Sequence, residues 1–351
     1  MAQQAAPADP LAGHPRYRKI KDINKGSFGF VVLAENLESR EQVAIKFTRV
    51  DTESDVKHAH REIMNHQRLL HPHVVQLKEV FSAKPYLALV MEFVPNGDMF
   101  QYVVSRRGLP ESEARWFFQQ LMLGMDYCHR KGVMSRDIKL ENTLLVLQPD
   151  KKPLLKLCDF GYSKHDTLDS IAKSKVGTPG YTAPEVIQNI RGYDGKMADV
   201  WSAGVMLYTM LFARYPFERP EDKKLNQHDR LQRILHRIIK VDFVFPESPA
   251  ISPECRDLIQ RILVANPAQR LTIAQIFQHP WVQQDLPQGS LEYNNWALAL
   301  QVQPAQGDDE VRAVVGEVYT AAKAQAQQAN AAAYAGDDDI IDSQEYRDYK
   351  S

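Results

Sequence analysis

The sequence predicts an α+β chain of two lobes, a small β-rich one first and a larger, mainly helical one after it. Three observations predict this. Strand-like runs broken by turn residues, with one helical segment at Asp51–Leu70, occupy roughly residues 17–94. Apolar residues at helical spacing dominate from Glu111 onward. Between these regions, Met134–Gly161 (MSRDIKLENTLLVLQPDKKPLLKLCDFG) carries two acids, a lysine and an asparagine on short loops joined by a hairpin. Leu144–Leu147 and Leu154–Cys158 read as its strands and Gln148–Pro153 as its turn.

The bulk numbers exclude several classes. The chain has 351 residues, enough for about two domains and a substantial core. Lys+Arg 43 against Asp+Glu 44 leaves a formal net charge of -1, which argues against a nucleic-acid footprint or a polybasic anchor. No apolar run reaches the length of a membrane span. Residues 1–16 lack the charged-then-apolar layout of a secretory signal. Cys128, Cys158 and Cys255 are too few and too scattered for a disulfide framework or a zinc site. The expectation is a soluble protein of a reducing compartment, cytoplasmic or nuclear, with neither nucleic acid nor membrane among its partners.

Taken in order, residues 1–16 are rich in Ala, Gln and Pro and read as a disordered lead. The run INKGSFGFVVLAENLESREQVAIKF reads as two strands behind a Gly-rich turn. Gly26 and Gly29 would let the backbone close over phosphates where a side chain would clash. Alternation puts Ala44 and Lys46 on one strand face and Val43 and Ile45 on the other. Asp51–Leu70 reads as a helix with Val56, Ala59, Ile63 and Leu70 on one stripe, Thr52 or Asp51 as cap, and Glu62 at the stripe's edge. The five histidines His58, His60, His66, His71 and His73 lack the spacing of a helical metal face. Leu87–Val94 is a continuous apolar strand that PNGD ends, with Asp98 in the next turn. Glu111–Arg130 is a helix, and Asp199–Leu211 a strongly apolar one. Further helices reach through Ile239 and span Ser252–Val264 and Thr272–Gln278. The folded unit should close at His279-Pro280-Trp281, so its bounds are 17–282, divided near residue 94. Residues 283–307 are expected as a linker, 308–335 as a helix, and 336–351 as an acidic disordered tail.

The central hairpin should bring Asp159 beside Asp137, Lys139 and Asn142. Each residue type is common in solvated turns. As a set they suit phosphoryl transfer from ATP: one carboxylate to take the hydroxyl's proton, a lysine to neutralise charge on the moving group, and a carboxylate with an amide oxygen to hold magnesium.

RDIKLEN, a hairpin, DFG, the Gly-rich turn, VAIK and the later GTPGYTAPE together resemble the eukaryotic protein kinases over about residues 17–282. Lys139 and GTPGY resemble the serine/threonine branch. YDGKMADVWSAGVMLY, CDFGYSK, LENTLL and ISPECRDLI look like the second subfamily of the plant sucrose-nonfermenting-related kinases, which act in osmotic-stress and hormone signalling. The resemblance implies the bilobal kinase fold, ATP and Mg2+ as cofactors, and serine/threonine phosphorylation of proteins in stress signalling. It makes Asp137 the catalytic base, Lys139 its partner, and Thr178 their neighbour when the loop is ordered. It assigns metal to Asn142 and Asp159. The nucleotide would lie against Ile23, Asn24, Lys25, Gly26, Ser27, Phe28, Gly29, Phe30 and Val31. Ala44 and Leu144 would sandwich the adenine with Val31, while Met91 guards the back pocket. The strand end at Glu92 and Val94 would bond the adenine edge. Lys46 with Glu62 would anchor the phosphates. Glu185 would pair with Arg270, and Asp199 would brace the catalytic loop.

Two residues depart from the family pattern. Asn24 stands at the first loop glycine and Ser135 at the histidine before the Arg-Asp pair. They leave an ATP-binding pseudokinase scaffold as the alternative. The resemblance also implies an upstream activating kinase or autophosphorylation at Ser174 or Ser170, with Arg136 gripping the phosphate. Asp98 is either an acid that reads a basic residue upstream of the acceptor or a helix-start carboxylate. The acidic tail is a candidate site for a phosphatase or regulator. In Gly307–Gln325, Val311, Val314, Val315, Val318 and Ala322 make one apolar stripe. The subfamily implies that this stripe docks on the Asp51–Leu70 helix.

Overall fold

The computed structural model describes residues 9–26, 29–158 and 179–341. The chain forms two compact units. One comprises Met1–Gln67, Leu77–Phe93 and Pro304–Ser351, the other Arg68–Gln76 and Val94–Gln303.

The first unit is built on an antiparallel sheet of β1 (Tyr17–Gly26), β2 (Gly29–Asn36), β3 (Gln42–Arg49), β4 (Leu77–Ala83) and β5 (Tyr86–Glu92), in the order β1-β2-β3-β5-β4. Period-two alternation sorts the faces as expected. Val43, Ile45 and Phe47 are buried with Val32, Ala34, Ala88 and Val90, whereas Ala44 and Lys46 lie on the other face, half-buried. Leu11 is buried in the same core. The expected disordered lead is therefore too long, because Leu11 has sheet residues to pack on and pairing begins at Tyr17.

Helix α1 spans Glu53–His66, shorter than expected. Thr52 starts it through a capping box: its hydroxyl accepts from Asp55 N, while the Asp55 carboxylate accepts from Thr52 N. Ala59 and Ile63 are buried, whereas Leu70, expected on the same stripe, is outside the helix and 42% exposed. The chain leaves this unit at Arg68, which is why the stripe ends early.

The last helix of the chain, Asp308–Ile341, belongs to the same unit and packs on α1, β4 and β5. Val311, Val315, Val318 and Ala322 are buried, while Val314 sits at the edge of the stripe. The helix passes the expected boundary at residue 335. Its alanine- and glutamine-rich run has high helix propensity, and Gly336 costs only about 1 kcal/mol against it. Residues 342–351 of the expected tail lie outside the described residues.

The second unit is mainly helical: α2 (Met99–Arg106), α3 (Glu111–Arg130), the hairpin β6 (Thr143–Val146) and β7 (Leu154–Leu157), then α4 (Pro184–Ile187), α5 (Gly195–Phe212), α6 (Gln227–Lys240), α7 (Pro253–Ile262), α8 (Ile273–Gln278), α9 (Pro280–Gln283) and α10 (Ser290–Ala299). The final helix of the first unit is then α11 (Asp308–Ile341). Helix α5 is apolar on nearly every side and buried among α3 and α7. It starts one turn before Asp199 because the Asp194 side chain caps it at Lys196 N. A Cβ on Gly204 would lie 2.4 Å from Ile262 Cγ2, so glycine sets how closely α5 and α7 approach. Arg270 and Glu185 form the expected pair, bidentate at 2.9 and 3.0 Å and buried.

Residues 283–307 are not a bare linker. Helix α10 is pinned by the buried Asn294, whose Nδ2 donates to Leu123 O at 3.0 Å and Asp126 Oδ2 at 2.9 Å. Its Oδ1 accepts from His71 Nε2 at 2.9 Å. With that nitrogen protonated, His71 Nδ1 accepts His73 N–H at 3.2 Å, and His73 Nδ1 donates to Leu155 O at 3.0 Å. Both nitrogens of the neutral His71 ring are thus used, and His73 is fixed through Nδ1. Burial pushes both rings down to about 4 from an ordinary value of 6.5. A histidine with a depressed folded value favours folding while neutral, so its contribution is complete above 6.5 and is lost as pH falls toward 4. The unfolding free energy from urea titration should fall across that window, by an amount on the order of a few kcal/mol from these rings. His71→Gln should make the fall shallower, and an unchanged pH slope in that variant would remove His71 from the account.

Candidate active site

In the first unit, strand register gathers one set of side chains. Val31 lies opposite Lys46, Leu33 opposite Ala44, and these continue to Leu89 and Met91 on β5. Residues directly opposite one another share a face, so Val31, Ala44, Lys46 and Met91 lie together. Asn24 pairs with Val31 inside β1. The ladder holds it in strand backbone, and no glycine-like conformation is asked of it there. Ile23 is the unpaired residue of a register shift between Asp22 and Asn24, 45% exposed. Gly26 pairs with Gly29; Ser27 and Phe28, between them, lie outside the described residues. A Cβ on Gly29 would lie 1.9 Å from Phe47 O, so that position requires glycine for the approach of β2 to β3.

Phe30 differs from the expectation. Its ring stacks on Phe47 at 4.9 Å and meets Tyr86 edge-on, on the face opposite Lys46. Lys25 is opposite Phe30 and shares that side. Glu92 pairs with Val43 and so also points its side chain to the other face. For these three, only backbone can serve a ligand on the Lys46 face. Glu62 is on α1, half-buried, next to the buried Ile63.

In the second unit, the loop before β6 gathers a compact polar set. Lys139 Nζ donates to Asp137 Oδ2 at 2.7 Å, and Asn142 Nδ2 donates to the same oxygen at 2.6 Å and to Asp137 O at 3.1 Å. With its nitrogen so engaged, Asn142 keeps Oδ1 as an acceptor, the atom a hard cation takes. Cys158, the last described residue before Asp159, donates N–H to Asn142 O at 3.0 Å. Leu144 lies half-buried in β6 and bridges to Asp98. Asp98 is the N-cap of α2, accepting from Gln101 N at 2.8 Å. Val94 is buried. Asp159 and Thr178, with Ser170 and Ser174, lie outside the described residues.

The loop is held from below. Asp199, 1% exposed, accepts from Ser135 N at 3.0 Å, Arg136 N at 2.8 Å and His129 Nε2 at 2.8 Å. Arg136 has φ +59, a left-handed angle that costs a side-chain-bearing residue about 1 kcal/mol or more.

One residue escaped the sequence reading. Glu141 is half-buried beside this set, and its Oε2 has no hydrogen-bond partner among the described residues. Burial raises its pKa, partly offset by a bond from its own backbone and by Lys139, with smaller upward contributions from Asp137 and Asp98. The LEN tripeptide had drawn attention to its asparagine alone.

The protein kinase domain profile matches residues 17–282. This chain belongs to the protein kinase family. Serine/threonine-protein kinase SRK2E of Arabidopsis thaliana is 44% identical over 304 residues, 86% of this chain and 82% of that one. Serine/threonine-protein kinase SAPK2 of Oryza sativa subsp. indica is 44% identical over 307 residues, 86% and 87% of the two chains. Serine/threonine-protein kinase SAPK6 of Oryza sativa subsp. japonica reaches 47% over 272 residues, 78% and 72%. These relatives place the kinase in the second sucrose-nonfermenting-related subfamily, as its motifs indicate.

The Asp199 contacts give a direct test of how this kinase holds its loop. Asp199→Asn replaces a charged acceptor by a neutral one, and hydrogen bonds to charged groups contribute about 1.5–3 kcal/mol. Amide exchange at Ser135 or Arg136 should then quicken by about tenfold or more while the exchange of α3 is unchanged. Equal protection in both proteins would mean that Asp199 does not restrain the loop.

Proposed function

We propose that this serine/threonine kinase transfers phosphate to protein substrates from the Asp137 loop, and the shared hydrogen bonding of Asp137, Lys139 and Asn142 is the observation that carries the assignment. Protein kinases use ATP with magnesium, and when bound these supply the phosphoryl group and neutralise its charge. Asp137 Oδ1 orients the acceptor hydroxyl and takes its proton. Lys139, fixed on Oδ2, sets positive charge beside the incoming group. Asn142 Oδ1 and Asp159 would hold the metal. The donor set fits a magnesium ion, which binds through one or two carboxylates and further oxygens. Lys46 would meet the phosphates with Glu62 as its support, and Val31, Ala44 and Leu144 would cover the adenine. A scaffold without transfer activity would have no use for the catalytic set, and Asn24 fits its strand without penalty. Asp137→Asn should keep ATP binding and lower turnover on a basic serine peptide by about 10²-fold or more. Full turnover in that variant would remove Asp137 from the role of base, whereas no transfer by the parent chain would return the pseudokinase reading.

Several finer readings attach to the same site. A basic residue upstream of the acceptor suits Asp98, with one carboxylate oxygen spent on its cap, and Glu141, whose Oε2 accepts no hydrogen bond among the described residues. Glu141→Gln, which leaves the α2 cap intact, should weaken the preference for arginine in a peptide library; an unaltered preference would leave Asp98 alone or neither. Phosphorylation at Ser174 or Ser170, by this or another kinase, would bring charge to Arg136. The acidic tail would receive a phosphatase or another regulator. Among the described residues no helix is long and apolar enough to cross a membrane, and a cytoplasmic or nuclear location follows as part of the proposal.

Helix α11 would act as the internal brace of α1. Gln306, just ahead of it, is bonded through every polar group described for it. Its Oε1 accepts Val80 N–H at 2.6 Å, and its Nε2 donates to Val80 O at 3.0 Å and Glu310 Oε1 at 2.8 Å. Gln67, which caps α1, bonds the Gln306 backbone at both ends. Asp308 Oδ1 lies 2.9 Å from His60 Nε2, and Lys84 meets Glu317 at 2.6 Å. Burial of each valine contributes about 1.5–3 kcal/mol. Val315→Asp with Val318→Asp should therefore lower both the melting temperature and turnover. Ending the chain at Gln303 should do the same while sparing α10. Stability and turnover equal to those of the full chain would make α11 a passenger.

A further inference from the structure

A cavity of about 310 Å3 opens in the second unit at the tip of the β6–β7 hairpin, where Lys152 and Pro153 face Ser112, Arg115 and Trp116 of α3, with Asp285 at its rim. The Asp137–Asn142 loop joins the other end of that hairpin, so four strand residues, about 13 Å, separate the two. The residues assigned to phosphate transfer leave this cavity unused.

Its chemistry is set by an under-partnered cation. Arg115 is 6% exposed, yet Nε has no hydrogen-bond partner among the described residues. Its Nη2 lies 3.4 Å from Glu111 Oε1, but that oxygen already accepts from Ser252 Oγ at 2.6 Å and Trp281 Nε1 at 2.6 Å, and Ser252 N–H takes the other oxygen at 2.7 Å. Its Nη1 reaches Asp285 Oδ2 only at 3.3 Å. Charge-assisted bonds between a guanidinium and a carboxylate run at about 2.7–2.9 Å, so neither contact is a full one. Asp285 is 69% exposed at its side chain, on backbone with φ +58. It is a loosely held anion on the rim. A second cation lines the same cavity: Lys152 Nζ lies 4.6 Å from the ring centroid of Trp116, and that indole is fixed by its Nε1–H bond to Pro153 O at 2.7 Å. Glu113 also lines the cavity, with its Oε1 engaged by the Tyr102 hydroxyl.

We propose that this cavity is a docking pocket for an acidic segment of a partner protein, which sets a carboxylate between Arg115 and Lys152 in place of Asp285 and lays an apolar neighbour on Trp116. A buried cation with two long bonds gains from a carboxylate free to approach in a forked geometry. Asp285, tied to its own backbone, holds only the end of one nitrogen. The indole gives the apolar neighbour a flat surface, and the pairing of an acid with an apolar residue makes the segment a short peptide rather than a free anion. If the partner is a substrate, the pocket deepens the transfer reading; binding itself is independent of it.

The test is calorimetry on the full chain with a capped hexapeptide of alternating glutamate and leucine, beside its lysine-for-glutamate counterpart. The glutamate peptide should bind saturably and the lysine peptide should not. Lys152→Glu should weaken binding about tenfold, the effect of some 1.4 kcal/mol, and Asp285→Asn should tighten it. Binding should be the same in Asp137→Asn, so a failed docking site and a failed transfer assignment give different results. Joined by a flexible linker to an acceptor peptide, the glutamate hexapeptide should lower KM in the parent and not in Lys152→Glu, with kcat on the unlinked acceptor unchanged in both. No saturable binding at millimolar peptide, equal binding of the lysine peptide, or indifference to Lys152→Glu would overturn the proposal. Displacement of the peptide by equimolar inorganic phosphate would overturn the peptide in favour of a simple anion.

Discussion

The buried carboxylate of Asp199 is the constraint from which the Ser135–Asn142 loop of the second unit follows. A charge 1% exposed is tolerated only if donors surround it, and here three do: two successive backbone N–H groups and the His129 ring. Two adjacent amides can point at one carboxylate only when the chain turns sharply. The left-handed angle at Arg136 lies in that turn. That turn sends the next residue, Asp137, outward, where Lys139 and Asn142 close on Oδ2 and, among the described residues, leave Oδ1 open. The strain at Arg136 is thus offset by bonds to a group that would be costly to bury without them.

Much of this arrangement was legible in the sequence, and the reason differs from place to place. The β3 faces followed from strict alternation in Val43–Lys46, because one face is buried and the register has no freedom to slip. Glu111–Arg130 was legible to the residue, since its apolar stripe is long and its first turn acidic. Phe30 was misread because the family pattern marks a stretch of backbone near a nucleotide, while the side chain obeys the pleat and goes to the Phe47 face.

Helix α10 was hidden for a more instructive reason. Its inward residues are Asn294 and Ala297, while Leu291, Tyr293 and Trp296 point to solvent. Such a helix is held by hydrogen bonds, and an apolar-stripe reading finds nothing to hold. Glu141 was hidden likewise, because its importance lies in the acids brought around it by folding, which no local pattern records. The end of α11 was missed for the opposite cause: a run rich in alanine and glutamine, followed by acids, reads as low complexity although its propensity is strongly helical.

The division of the chain carries a consequence for how the protein comes into being. The first unit takes its residues from both ends of the sequence, and the valines that cover α1 belong to the later part. During vectorial synthesis the sheet and α1 leave the ribosome long before Gln306 and the valine stripe exist. The second unit, by contrast, has all its segments by Gln303 and can mature first. For that interval the apolar surface under α11 has no cover of its own, and the nascent chain is exposed to chaperones and proteases at the face that α11 packs on in the finished fold. A chain that stopped before Asp308 would carry the whole Asp137–Asn142 loop and lack the valine stripe that covers α1.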